Sequence, residues 1–154
     1  MQILLVIDVQ QRYLKNYKPD LVNRVNARIR EAMSKEIPVV YVRNTGRSGR
    51  DNNFELADEL EVSSDIIFKK QFPSAFSNPD FEPFLTKANI DTINVVGVDG
   101  RCCVPRTVMD ALERGIKINL LMDAIEAHSD KFYYKELKTM ELKGAKVLMN
   151  LEEL

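Results

Sequence analysis

Short β-branched apolar runs recur along the chain with longer stretches of helical periodicity between them, and this alternation constrains the fold more than any other feature. "ILLVID" (Ile3–Asp8) is unbroken apolar sequence ending on a carboxylate, the pattern of a strand buried on both faces of a parallel sheet. "PVVYVR" (Pro38–Arg43), "DIIFK" (Asp65–Lys69), "TINVVGV" (Thr92–Val98), "KINLLMD" (Lys117–Asp123) and "AKVLMN" (Ala145–Asn150) complete a set of six strands. Between them, Leu21, Val22, Val25, Ile29, Ala32 and Met33 share a helical stripe that begins near Pro19. Phe54, Ala57 and Leu60 suggest a short helix. Phe81, Phe84, Leu85 and Ala88 suggest another, which Pro83 requires to start near Asp80. Val104, Val108, Ala111 and Leu112 mark a helix closed by Gly115. A last helix, capped by Ser129 and ended by Gly144, carries Phe132, Leu137 and Met140. The methionines, Phe81, Phe84 and Phe132 read as core, and the charges of Lys131–Lys135 as helix surface.

The predicted fold is therefore α/β: a three-layer α/β/α sandwich around a six-stranded, mostly parallel sheet of Rossmann-like topology. Crossovers are expected to be right-handed, and ligands to bind beyond the carboxyl ends of the strands. A length of 154 residues suits a single domain over residues 1–154. The glycine-rich phosphate loop of a dinucleotide-binding domain is replaced after the first strand by "VQQRYL".

Charge and cysteine usage narrow the function classes. With 22 basic and 23 acidic residues the formal net charge is −1, so no electrostatic footprint for nucleic acid or an anionic membrane is present. The apolar runs are too short to span a bilayer. "MQILLVIDVQ" enters an apolar run without a basic leader or cleavage site, so no signal peptide is expected. The only two cysteines are adjacent, Cys102 and Cys103, where a disulfide would close a strained ring. Neither a C-x-x-C redox motif nor zinc-ligand spacing is formed, and a reducing cytoplasm is the expected compartment.

Strand ends on one sheet edge are the places to look for chemistry. Asp8 ends the first predicted strand, Lys70 follows the third, and Cys103 lies between the fourth strand and its helix. Singly, each has an ordinary reading: a turn-forming Asp, a solvated Lys, a small buried thiol. Together a carboxylate, an ammonium and a thiol form a coherent device. The thiolate is the nucleophile. A helix N-terminus and a neighbouring lysine are expected to lower the thiol pKa. The carboxylate can take the thiol proton and return it to a leaving group.

"LLVIDVQQRYL" (Leu4–Leu14), "KQFPSAF" (Lys70–Phe76) and "VVGVDGRCCVPRTVMDALERGIKINLLMDA" (Val95–Ala124) resemble, in this order, the motifs of the isochorismatase-like cysteine hydrolases. That superfamily includes nicotinamidases, N-carbamoylsarcosine amidohydrolases and ureido-group hydrolases. The resemblance implies Asp8 as general base, Lys70 rather than Lys69 as its partner, and Cys103, directly before Val104, as nucleophile. It implies a cis peptide at Val98–Asp99 and an oxyanion hole from the backbone N–H groups of Cys103 and of the turn at Cys102. Gln10, Tyr13 and Asp99 fall where the family lines its substrate site. Homodimers or homotetramers are common in the family.

The departures from the family pattern also carry information. The metal site of zinc-type nicotinamidases needs an Asp-x-His pair and a further His, whereas His128 is the single histidine here. No metal and no cofactor is expected. Retention of Cys103 favours C–N hydrolysis over the vinyl-ether hydrolysis of isochorismatase itself. Gly100 stands where the family often has Thr, and Cys102 is atypical. Cys102 reads as a buried packing residue, with a resolving thiol as the alternative. His128 reads as a surface loop residue, and Arg43, Arg47 and Arg50 as a solvated loop that can alternatively hold a substrate carboxylate. The expected activity is hydrolysis of a small amide or ureide. The alternative is a non-catalytic binding or scaffold protein on the same fold.

Overall fold

A computed structural model describes residues 1–48, 52–129 and 133–151. Its strands are β1 (Gln2–Ile7), β2 (Val39–Asn44), β3 (Ile67–Lys70), β4 (Thr92–Gly97), β5 (Lys117–Ile125) and β6 (Lys146–Leu148). They form one sheet in the order β3-β2-β1-β4-β5-β6, and every pairing is parallel. The helices are α1 (Leu21–Ser34), α2 (Phe81–Lys87), α3 (Cys103–Glu113) and α4 (Tyr133–Leu142).

Alternation along each strand sends side chains to two separate cores. Ile3, Leu5 and Ile7 of β1, with Ile93 and Val95 of β4, pack against Phe81, Val104, Val108 and Met140 of α2, α3 and α4. Leu4 and Val6, with Val96, pack against Leu21, Val25 and Ile29 of α1. Both faces of the central strands are thus covered, which is why they read as unbroken apolar runs. Among the described residues, no helix is long and apolar enough to cross a membrane.

The differences from the sequence expectations have local causes. Residues 54–60 form no helix. Leu56 instead makes an antiparallel bridge to Gln10, and Ala57 N–H donates to the Val9 carbonyl at 3.0 Å. Ala57 and Leu60 are still buried under α1, so their apolar spacing recorded burial rather than periodicity. Met140 is core, but Met1, Met33 and Met149 are exposed, since flexible thioethers are tolerated at element ends. Phe132 and Lys131 lie outside the described residues, as do residues 130–132 that separate the expected cap Ser129 from α4. Gly115 and Gly144 do end α3 and α4, with φ of +75° and +116°.

The strand order reverses between β1 and β4, and the backbones there are in close contact. Gly97, at φ +116°, pairs with Ile7 so closely that a Cβ would sit 2.1 Å from the Ile7 carbonyl oxygen. Gly115 also has positive φ, but nothing lies within 4 Å of its Cβ position. Gly97→Ala is therefore expected to cost at least about 2 kcal/mol, and Gly115→Ala only about 1 kcal/mol. Urea denaturation of the two variants checks this; equal losses would remove the claim that β1 and β4 are locked at this point.

Candidate active site

The strand order reverses between β1 and β4, and in such sheets ligands usually bind beyond the carboxyl ends of the strands at that point. Asp8 follows β1 directly. Its backbone is left-handed, with φ of +54°, and its N–H donates to the Val42 carbonyl at 2.9 Å. This turn brings the carboxylate back over the sheet edge. Cys103 is the first residue of α3. Lys70 ends β3, two strands away from β1, a gap of about 10 Å that only a long side chain bridges.

The three side chains meet in the interior. Lys70 Nζ donates to Asp8 Oδ2 at 2.9 Å and lies 3.4 Å from Cys103 Sγ. Asp8, Lys70 and Cys103 are only 3%, 2% and 9% exposed. Lys69, on the opposite face of β3, is exposed. One carboxylate oxygen of Asp8 is held by the ammonium; the other, Oδ1, is buried without a close hydrogen-bond partner, and the Cys103 thiol is the remaining polar side chain that interacts with this carboxyl.

Burial pushes the Asp8 carboxyl above the usual carboxylate range, although the Lys70 charge opposes it. Burial also disfavours the Lys70 ammonium, but the Asp8 charge, together with the contacts of Nζ to Asp8 and Cys103, outweighs it and holds the amine above the ordinary lysine range. For Cys103 the structure reverses the expectation. Burial, together with the Asp8 charge, pushes the thiol well up, and Lys70 offsets only part of this. Burial thus favours the protonated form of the sulfur, which lies beside a carboxyl whose pKa is also raised and 3.4 Å from an ammonium.

The turn from Gly97 to Cys102 is fixed by its backbone and by Asp99. The Val98–Asp99 peptide is cis. Asp99 Oδ1 accepts from Arg101 N–H at 2.8 Å, while Oδ2 accepts from the Tyr17 hydroxyl at 3.0 Å and from His128 N–H at 2.7 Å. Burial, followed by the Asp99 charge, raises the Tyr17 phenol. The N–H groups of Cys102 and Val104 both donate to the Asp99 carbonyl at 3.1 Å. Only part of the expected oxyanion hole is therefore open: Cys102 N–H is committed, whereas Cys103 N–H meets no acceptor among the described residues.

Other expected site residues have different placements. Gln10 is fully buried with its amide satisfied: Nε2 donates to the carbonyls of Asn44 and Phe54, and Oε1 accepts from Asn44 N–H. It ties loops behind the site and presents no polar atom to a substrate. Tyr13 is half-buried, and its phenol lies in the fields of Asp8, Cys103 and Lys70. Cys102 is exposed, not buried, because the position before α3 turns outward. His128 is exposed, its imidazole Nδ1 3.1 Å from the Asn16 carbonyl. Arg43 Nη1 donates to the Phe54 carbonyl at 3.2 Å; Arg47 is exposed and Arg50 lies outside the described residues. Sequence reasoning missed Tyr17 and Thr107. Thr107 sits inside the motif after Cys103, and its hydroxyl accepts from Ala75 N–H at 3.0 Å, joining the "PSAF" turn to α3. Tyr17 carried no signal, since 82 residues separate it from Asp99.

Comparison with known proteins agrees with this architecture. The isochorismatase domain family matches residues 2–150. Isochorismatase domain-containing protein 2 of Macaca fascicularis is 25% identical over 146 residues, spanning 93% of this chain and 68% of that protein. A crystal structure of pyrazinamidase of Pyrococcus horikoshii in complex with zinc shares the fold with a TM-score of 0.87, at 21% identity, over 96% of this chain and 98% of that one. N-carbamoylsarcosine amidase of Thermoplasma acidophilum has a TM-score of 0.80 and 25% identity, over 95% of this chain and 94% of that one. The donor set here does not fit a zinc site: the single imidazole is bound in the loop at Asn16, and among the described residues no three His, Cys, Asp or Glu side chains cluster.

Because Asp8 is buried against one cation, Lys70→Met is expected to destabilise the fold by about 3–5 kcal/mol, and Lys70→Met combined with Asp8→Leu by clearly less. Denaturant unfolding of the single and double variants measures this. Simple additivity of the two losses would show that the pair is not coupled.

Proposed function

This chain belongs to the isochorismatase family of hydrolases, and on that premise we propose that it is a cysteine hydrolase of a small amide or ureide, acting through a thioacyl intermediate. The observation that carries the reading is the buried cluster in which Lys70 Nζ touches both Asp8 and Cys103 and the Cys103 thiol interacts with the Asp8 carboxyl. The likeness to an N-carbamoylsarcosine amidase supports C–N bond cleavage as the reaction class.

The substrate carbonyl enters beside Cys103. As Sγ attacks the carbonyl carbon, Asp8 removes the thiol proton. No free thiolate has to accumulate first, which fits a sulfur whose pKa is raised rather than lowered. Lys70 compensates the negative charge passing between Asp8 and sulfur. The carbonyl oxygen, now negative, is within the reach of the unoccupied Cys103 N–H at the start of α3. Collapse breaks the C–N bond, and the amine departs with the proton held by Asp8. The thioester then remains on Cys103. Water attacks it, giving a proton to Asp8, and the thiol leaves as the acid is released. Asp8 cycles between base and acid, and the enzyme ends in its starting protonation state.

A panel of small amides and ureides scored for ammonia release tests the reading. Cys103→Ala is expected to abolish turnover, by about 10³-fold or more, while Cys102→Ala retains most of it. Equal losses would sink the assignment of the nucleophile. The acid limb of kcat/KM gives a second test. Asp8 must be ionised to act as base and its pKa is raised, so activity falls as pH drops through a value above the usual carboxylate range. A limb at an ordinary carboxylate pKa would separate it from Asp8.

A further inference from the structure

Three segments far apart in sequence meet at the turn before Cys103. The stretch that follows β5 binds this turn at three points. Gly100 N–H donates to the Glu126 carbonyl at 2.8 Å, Glu126 N–H to the Gly97 carbonyl at 3.3 Å, and His128 N–H to Asp99 Oδ2 at 2.7 Å. The residues around Tyr17 bind that stretch in turn. Lys18 N–H donates to Glu126 Oε1 at 3.0 Å, and the His128 imidazole Nδ1 lies 3.1 Å from the Asn16 carbonyl. Tyr17 closes the junction by donating its hydroxyl to Asp99 Oδ2 at 3.0 Å. With both of its chain neighbours held, the phenol has a position of its own and does not simply follow the carboxylate.

Asp99 passes this anchoring on to the nucleophile. Its carbonyl accepts both Cys102 N–H and Val104 N–H at 3.1 Å, so two peptide groups are pinned to one oxygen. The peptide group between them carries the Cys103 N–H, which meets no acceptor among the described residues. Among the described residues, the Tyr17 hydroxyl is the one side-chain donor to Asp99; the other partners of that carboxylate are the backbone N–H groups of Arg101, at 2.8 Å, and of His128. Burial and the Asp99 charge raise the phenol above the ordinary tyrosine range, so it keeps the proton it donates. Tyr17 is thus the one contact at this turn that a substitution can delete while leaving the backbone and the ring in place.

We propose that Tyr17 is a positioning residue for the nucleophile: through Asp99 it holds the start of α3 in the orientation that aims the Cys103 N–H at the oxygen of a carbonyl under attack. Its effect on amide turnover rests on the hydrolase reading above; its effect on acyl transfer to Cys103 does not. A donor stabilises a developing oxyanion only where its direction is right, so a contact that fixes the direction acts without touching substrate.

Two thiol reagents, para-nitrophenyl acetate and iodoacetamide, separate this role from packing alone. Attack on the ester forms the Sγ–C bond and puts charge on the carbonyl oxygen. Nitrophenolate then leaves with the C–O electron pair, and the thiol proton passes to Asp8. Alkylation by iodoacetamide takes place at a saturated carbon and makes no oxyanion. In Tyr17→Phe, nitrophenolate release that depends on Cys103 should fall about tenfold, while alkylation of Cys103, followed by tandem mass spectrometry, should change by less than about twofold. Asp99→Asn should lower acyl transfer at least as far, and adding Tyr17→Phe to it should cost nothing more. An unchanged acyl-transfer rate in Tyr17→Phe, an equal change in both reagents, full additivity with Asp99→Asn, or failure of either reagent to react at Cys103 in the unaltered chain would overturn the proposal. Acyl transfer that depends on Tyr17, without hydrolysis of any amide, keeps the positioning role and removes the proposed reaction. Amide turnover that Tyr17→Phe leaves intact does the reverse.

Discussion

The contact between the Lys70 ammonium and the Asp8 carboxylate is the constraint on which the site depends. Two charges removed from water are costly unless each satisfies the other. The parallel sheet makes this possible by bringing β1 and β3 to the same edge with β2 between them, and the lysine side chain crosses that gap. Once the pair is formed, the second carboxylate oxygen has no close partner, and the Cys103 thiol is the side chain left to interact with the carboxyl.

The same burial decides how the thiol behaves. A cysteine at a helix N-terminus beside a lysine looks like a preformed thiolate, and by charge alone it would be. Desolvation and the neighbouring carboxylate override both and push the thiol pKa up, and burial raises the carboxyl pKa as well. A sulfur buried in this way is shielded from solvent. Cys102, exposed next door, has no such protection and no part in the cluster.

Most of the sheet was legible because strands buried on both faces write their burial as unbroken apolar runs. The positions of Asp8, Lys70 and Cys103 followed from the rule that parallel strands align their carboxyl ends. What escaped detection depended on contacts between distant segments. Residues 54–60 have helix-like apolar spacing but are extended, because Gln10 and Val9 offer them backbone partners that no local pattern encodes. Gln10 looked like a pocket residue from its place in the motif, yet its amide is consumed by Asn44 and Phe54. The direction of the thiol pKa was missed because the sequence shows the neighbouring charges but not how deeply one side chain at a helix start is buried.

Lys70 belongs to β3, a four-residue strand at the edge of the sheet, paired on one side only. Short edge strands are where native proteins open first, well before global unfolding. Each such opening would carry the cation away from Asp8 and Cys103 while β1, β4 and the rest of the sheet stayed folded. The charge cluster is thus coupled to the local opening of a short edge strand. Hydrogen exchange at residues 67–70 would report the lifetime of the assembled charge cluster more directly than any measure of overall stability.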